Sequence, residues 1–173
     1  FTQAYSAGRC CPTRASILSG RYPARVGVTQ YIGGHNEGLK LHDVPYVDHL
    51  DPSNHTVAAA LRDGGYQTWH VGKWHLGEEP YFPEQQGFDV NVGGCRWGAP
   101  KHGYFSPWQH PTLEDGPEGE YLDDRLGDEA AKLIANRDAS KPFFMNMCFY
   151  LVHTPLQAPE DLVQKYRDKA KAM

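Results

Sequence analysis

The stretch "RCCPTRASILSGR", Arg9 to Arg21, sets two adjacent cysteines and an arginine at the head of a segment patterned like a helix. Adjacent cysteines do not easily bridge to one another, and the remaining two, Cys95 and Cys148, lie far along the chain with no CxxC spacing. That pattern suits neither a disulfide scaffold nor a spaced zinc site, so Cys95 and Cys148 are read as small buried apolar groups. Arg14 stands four residues after Cys10, on the same helical face, and offers a fixed fork for an oxyanion. Lys73 and His75 alternate within "GKWHLG"; on extended backbone they point the same way and supply a point charge and a titratable donor. His153 opens a loop fixed by Pro155. One thiol, one arginine, one lysine and two histidines make a site for a tetrahedral anion. Phosphoryl or sulfuryl transfer needs such a set, because catalysis there is mostly positioning and stabilisation of charge on equatorial oxygens.

These side chains have to be positioned by regular elements. Pro12 suits the first position of a helix through "TRASILS" and Gly20 its C-terminal stop, which puts Cys10 and Cys11 at a helix N-terminus. "NHTVAAALRDGG" predicts a cap at Asn54 or Thr56, a helix and a stop at Gly64. "YQTWHV" alternates as a short strand that runs into "GKWHLG", with His70 packing inside it. Residues 78–119, rich in Gly, Pro and aromatics without a period, read as a long surface excursion. Trp97, Tyr104, Phe105 and Trp108 in that excursion either stack on a sugar ring or pin the loop to the body.

Leu122, Leu126, Ala130, Leu133 and Ile134 mark one face of an amphipathic helix. Asp123 and Asp124 open that helix and are read as favouring its dipole rather than as metal ligands. "KPFFMNMCFYLV" reads as a continuous apolar strand covered on both faces. The segment from Pro159 starts with acids and ends with lysines, a last helix. Strands alternating with helices predict an α/β fold, a layered sandwich with a largely parallel sheet flanked by helices. In such sheets the site lies beyond the carboxyl ends of the strands, where "GKWHLG", "VHTP" and the Cys10 helix start can converge.

The 173 residues suffice for one domain with a sizeable core. A formal net charge of −4 provides no basic field, which argues against nucleic acid as a partner. No apolar run approaches the roughly 20 residues of a membrane span. The chain starts at Phe1 and carries no signal segment, both of which read as truncation.

"CCPTRASILSGR" resembles the first signature of the type I sulfatases, a Cys, any residue, Pro, a Ser/Thr or Ala, and Arg, ending in a glycine. "GYQTWHVGKWHLG" resembles the second, and "KPFFMNMCFYLVHTPLQAP" is similar to the strand and His-Thr-Pro loop that follow in that family. The resemblance implies an alkaline phosphatase-like fold, and that residues 1–173 are a partial sulfatase catalytic domain lacking a first strand and a carboxyl-terminal part, with an exposed sheet edge. It implies hydrolysis of a sulfate ester, on a small molecule or a glycan, by a formylglycine made from Cys10 by a maturation enzyme that reads Pro12 and Arg14. One geminal hydroxyl of the hydrated aldehyde attacks sulfur and the other expels sulfate, an escape a thiolate or serine lacks.

By the same carry-over Arg14 orients the formylglycine, Lys73 holds the sulfate and bridges to the nucleophile, and His75 and His153 bind sulfate oxygens or assist the leaving alcohol. Cys11 fills the variable position as a bystander. A divalent cation, usually calcium, completes the family's site; modified Cys10 is its only ligand expected in this chain, so the chain alone is expected to be inactive. The cysteine motif is shared by phosphate and phosphonate monoester hydrolases of the superfamily, and a non-catalytic fragment that binds sulfated ligands is the alternative outside enzymes. The implied compartment is secreted, periplasmic or lysosomal.

Overall fold

The computed structural model describes residues 2–35, 38 and 40–173. Three parallel strands form one sheet in the order β2, β1, β3, with β1 spanning Gln67–Gly72, β2 Val90–Val92 and β3 Phe143–Cys148. Helices α1 (Cys10–Ser19), α2 (Pro23–Val26) and α3 (Val57–Asp63) precede the sheet strands; α4 (Leu122–Ala135) lies between β2 and β3, and α5 (Glu160–Lys171) closes the chain.

β1 is the central strand, buried along all but its first residue, as its run of apolar and β-branched side chains requires. Its side chains alternate between two cores. Val71 joins Leu122, Leu126 and Ala130 of α4 with Tyr104, Trp108 and Tyr150 on one face. On the other, the His70 ring meets Trp74 and Phe88 edge to face, within a cluster that includes Cys11, Ala15 and Leu18 of α1. The sheet is thus sandwiched between α1 and α3 on one side and α4 on the other, the layered α/β arrangement expected.

Local signals account for the helix ends. Gly20 closes α1 in the left-handed region (φ 65°), which glycine enters without steric cost. Thr56, rather than Asn54, caps α3, accepting the Ala59 N–H at 3.1 Å. α1 starts earlier than Pro12 suggests: Arg9 is its N-cap, so Cys10 and Cys11 are already helical and Pro12 occupies the first turn.

Two expectations fail. Residues 78–119 are not simply a surface excursion: they contribute a 3-10 turn at Pro83–Gln86, strand β2, and the buried Cys95, Tyr104 and Trp108. Tyr104 and Trp108 therefore pin the loop and cannot stack on a ligand. β3 is half-buried rather than enclosed, because it pairs with β1 alone and its other edge has no strand beside it among the described residues. Cys148, at its end, is correspondingly half-buried.

Candidate active site

Because all three strands are parallel, the carboxyl ends of β1 and β3 lie on one side of the sheet, and there the sequence places Lys73 to His75 and Phe149 to His153. Gly72 makes the exit from β1 possible: its φ is 92°, and a Cβ at this position would collide with the Cys148 carbonyl. The Lys73 N–H then donates to that carbonyl at 2.8 Å, tying the two strand ends together. The N-terminal turn of α1 faces them across a cleft of about 560 Å³. Cys10, Thr13, Arg14, Lys73, Tyr150 and His153 are among its walls.

The structure brings Cys10, Arg14, Lys73 and His153 to one cleft and sets His75 directly behind Cys10. Ligand atoms of Cys10, Cys11 and His75 all lie within 4.8 Å of one another. Arg14 departs from the free fork expected. Its Nε donates to the Trp74 carbonyl at 2.6 Å and its Nη2 to the Lys73 carbonyl, so one edge of the guanidinium clasps the backbone that carries Lys73 and His75. Arg14 is first a brace between α1 and the β1 exit, and only its remaining donors face the cleft.

Electrostatics single out Cys10. Its thiol is pulled down to about 3, chiefly by a hydrogen bond from Cys11, with further help from His75 and the Lys73 charge against the cost of burial. Cys11 moves the opposite way, because it keeps the proton that it donates across a 3.9 Å sulfur–sulfur contact. Burial pushes the Lys73 ammonium down, and the neighbouring Cys10 charge opposes that push.

His75 is 5% exposed and adopts φ 56°, a backbone region costly to any residue with a Cβ. Its Nε2 pairs with the Ile32 carbonyl at 3.1 Å, which assigns the proton there, while Nδ1 is buried with no hydrogen-bond partner among the described residues. Gly98 lies flat against the ring; a Cβ at that position would strike the imidazole. His70, which the sequence suggested merely packs, does so: fully buried, it sits between the Gly72 carbonyl and Asn146, and burial lowers its pKa to about 3.

His153 is exposed on the cleft rim, and its loop is held from below by residues that the sequence did not single out for this. The Tyr104 hydroxyl, completely buried, lies 2.9 Å from the Tyr150 carbonyl and 3.0 Å from the His153 carbonyl. Tyr150 in turn donates to the Gly93 carbonyl at 3.0 Å and contacts His110 and Cys95. Asp123 lies in the first turn of α4, and it is buried, with no hydrogen-bond partner for either carboxylate oxygen among the described residues. No local sequence signal distinguishes it from exposed Asp124.

Among the described residues, the one group of three potential metal-binding side chains is Cys10, Cys11 and His75. Two sulfurs and a nitrogen do not fit calcium, which takes about six to eight oxygens. The family-implied calcium therefore has no complete site in these residues.

A parallel α/β sheet whose strand ends and facing helix surround a cleft thus gathers a cysteine, an arginine, a lysine and a histidine at one place. The chain belongs to the Sulfatase family, whose model matches residues 1–172. Among curated proteins it is similar to arylsulfatase J of Mus musculus, 28% identical over 171 residues, covering 91% of this chain and 27% of that protein. Arylsulfatase G of Homo sapiens is 31% identical, with 95% of this chain and 28% of that protein covered. The chain thus spans about a quarter to a third of the length of these relatives. Among solved structures, that of Ps i-CgsB in complex with k-i-k-neocarrahexaose superposes with TM-score 0.74 at 23% identity, covering 97% of this chain and 40% of that one. A structure solved with its substrate D-glucosamine-2-N,6-O-disulfate gives TM-score 0.68 at 26% identity, covering 95% and 29%.

Proposed function

We propose that the protein containing these residues hydrolyses a sulfate ester, with Cys10 as precursor of a formylglycine nucleophile. The observation that carries the reading is the convergence of Cys10, Arg14, Lys73 and His153 on one cleft at the carboxyl ends of β1 and β3, in a chain of the Sulfatase family. After conversion of Cys10 by a maturation enzyme, one hydroxyl of the aldehyde hydrate attacks sulfur and the ester alkoxide leaves with a proton from His153, the histidine on the cleft wall. Loss of a proton from the second hydroxyl then rebuilds the aldehyde C=O and breaks the bond to sulfate. Lys73 holds the sulfate through its charge, and Arg14 keeps Lys73 and the α1 start in register through the two carbonyl contacts. A calcium ion, which the resemblance implies, requires oxygen ligands other than the side chains gathered around Cys10.

For the substrate we favour a sulfated sugar. The N-acetylgalactosamine-6-sulfatase of Sus scrofa, 31% identical, and the structure with D-glucosamine-2-N,6-O-disulfate support this. The exposed apolar Leu151 and Val152 on the cleft wall suit the apolar face of a ring, whereas the buried Tyr104 and Trp108 do not contribute. Among the described residues no helix is long and apolar enough to cross a membrane; a secreted, periplasmic or lysosomal compartment is proposed on the family resemblance. The test is turnover of an aryl sulfate against an aryl phosphate by the full-length protein coexpressed with a maturation enzyme. Sulfate hydrolysis abolished by Cys10→Ala supports the reading. Preferential phosphate hydrolysis moves it to the phosphomonoesterase alternative, and no turnover of either moves it to a non-catalytic ligand-binding protein.

A further inference from the structure

Cys11 has no task in the sulfatase reading, yet it is buried beside Cys10 and His75 in an arrangement with the features of a metal site. The two sulfurs are 3.9 Å apart. Two metal–sulfur bonds of about 2.3 Å at a tetrahedral angle put their sulfurs about 3.8 Å apart, so the pair already has the required bite. The third ligand is the Nδ1 of His75, buried and unpartnered, with its lone pair left free because Nε2 carries the proton toward the Ile32 carbonyl. The same residue serves the other ligand, for the Ile32 N–H donates to Cys11 Sγ at 3.1 Å. Metal-binding imidazoles and thiolates are oriented in this way by backbone partners behind them. The imidazole passes so close to Gly98 that only a residue without a Cβ leaves it room there. Cys10 borders the open cleft, which leaves a fourth position for water.

We propose that, while Cys10 is still a cysteine, Cys10, Cys11 and His75 form a Cys2His site for one thiophilic divalent ion, which the two-sulfur, one-nitrogen set commits to Zn2+. Binding releases whatever protons the two sulfurs hold, giving two thiolates, one neutral imidazole and one water around the ion. The ion covers the Cys10 sulfur and shields it from electrophiles and oxidants. Conversion of Cys10 to an aldehyde removes one ligand and abolishes the site. The proposal stands whether or not Cys10 is a formylglycine precursor.

The test uses full-length protein from a host without a maturation enzyme, with peptide mapping to verify that Cys10 is a thiol. Cobalt is titrated first, then displaced with Zn2+. One cobalt per chain with sulfur-to-cobalt charge transfer and tetrahedral ligand-field bands, lost on adding Zn2+, is expected. Cys11→Ser should weaken Zn2+ binding at least tenfold, while Cys95→Ser and Cys148→Ser leave it within twofold. In the unsubstituted protein, which avoids any folding defect, Zn2+ should slow alkylation of Cys10 at least tenfold and a chelator should restore it. An octahedral cobalt spectrum, binding unaffected by Cys11→Ser, or alkylation of Cys10 indifferent to Zn2+ overturns the proposal.

Discussion

Asp123→Asn should stabilise the chain at neutral pH and leave it unchanged in acid. Asp123 is 5% exposed, and neither carboxylate oxygen has a hydrogen-bond partner. Burial raises its pKa from 3.8 to about 6, with the Tyr150 and Leu151 backbone opposing and Asp124 reinforcing the rise. A group whose pKa rises on folding binds more protons in the folded state, so stability falls as pH climbs from the unfolded value of about 4 to the folded value of about 6. Each pKa unit corresponds to about 1.4 kcal/mol, which bounds the cost of the folded carboxylate at roughly 3 kcal/mol. Both carboxylate oxygens are shut off from solvent, so about 2 to 3 kcal/mol of this is expected to show. The asparagine amide keeps the shape and removes the charge. Urea unfolding of both proteins at about pH 7.5 and about pH 4 reads the difference: about 2 to 3 kcal/mol in favour of the variant at the higher pH, and nearly nothing at the lower. An equal difference at both pH values, or a less stable variant at neutral pH, refutes the reasoning.

Three further outcomes follow from the site. Cys10→Ser in the matured system should stop after one event: the serine oxygen can take up sulfate but has no second hydroxyl to expel it, so intact mass shows a persistent sulfate adduct and multiple turnover is absent. Gly98→Ala should push the His75 ring off its position and lower kcat at least tenfold with little change in unfolding midpoint, since the loop around Trp97 is half-buried. Tyr104→Phe should remove the hydroxyl that supports the Tyr150 and His153 carbonyls, costing about 1–2 kcal/mol and speeding amide hydrogen exchange at residues 150–153.

What could be read from the sequence was whatever is encoded locally. The left-handed stop at Gly20, the cap before Ala59, the existence of the strand β1 and the acid-to-lysine gradient of α5 are each fixed by a few neighbouring residues. Cys10, Arg14, Lys73, His75 and His153 could be assembled because strand-to-loop exits in a parallel sheet share one end. What could not be read depends on contacts distant in sequence. β2 exists because Trp69, His70 and Val71 supply its ladder, not through any alternation of its own three residues. Asp123 and Asp124 look alike in sequence, and only the burial of one of them in the fold distinguishes them. The Arg14 fork looked free because the carbonyls that occupy it lie about sixty positions further on. The role of Cys11 required Ile32 and His75 beside it.

The central claim is that Cys10 is a precursor rather than the working nucleophile. It is tested most directly by the mass of the tryptic peptide Cys10–Arg14 from full-length protein made beside a maturation enzyme. An aldehyde in place of the Cys10 thiol, with Cys11 unmodified, is the result predicted. Two intact thiols, from a preparation in which a control sulfatase is fully converted, would contradict it and leave Cys10 a structural or metal-binding cysteine.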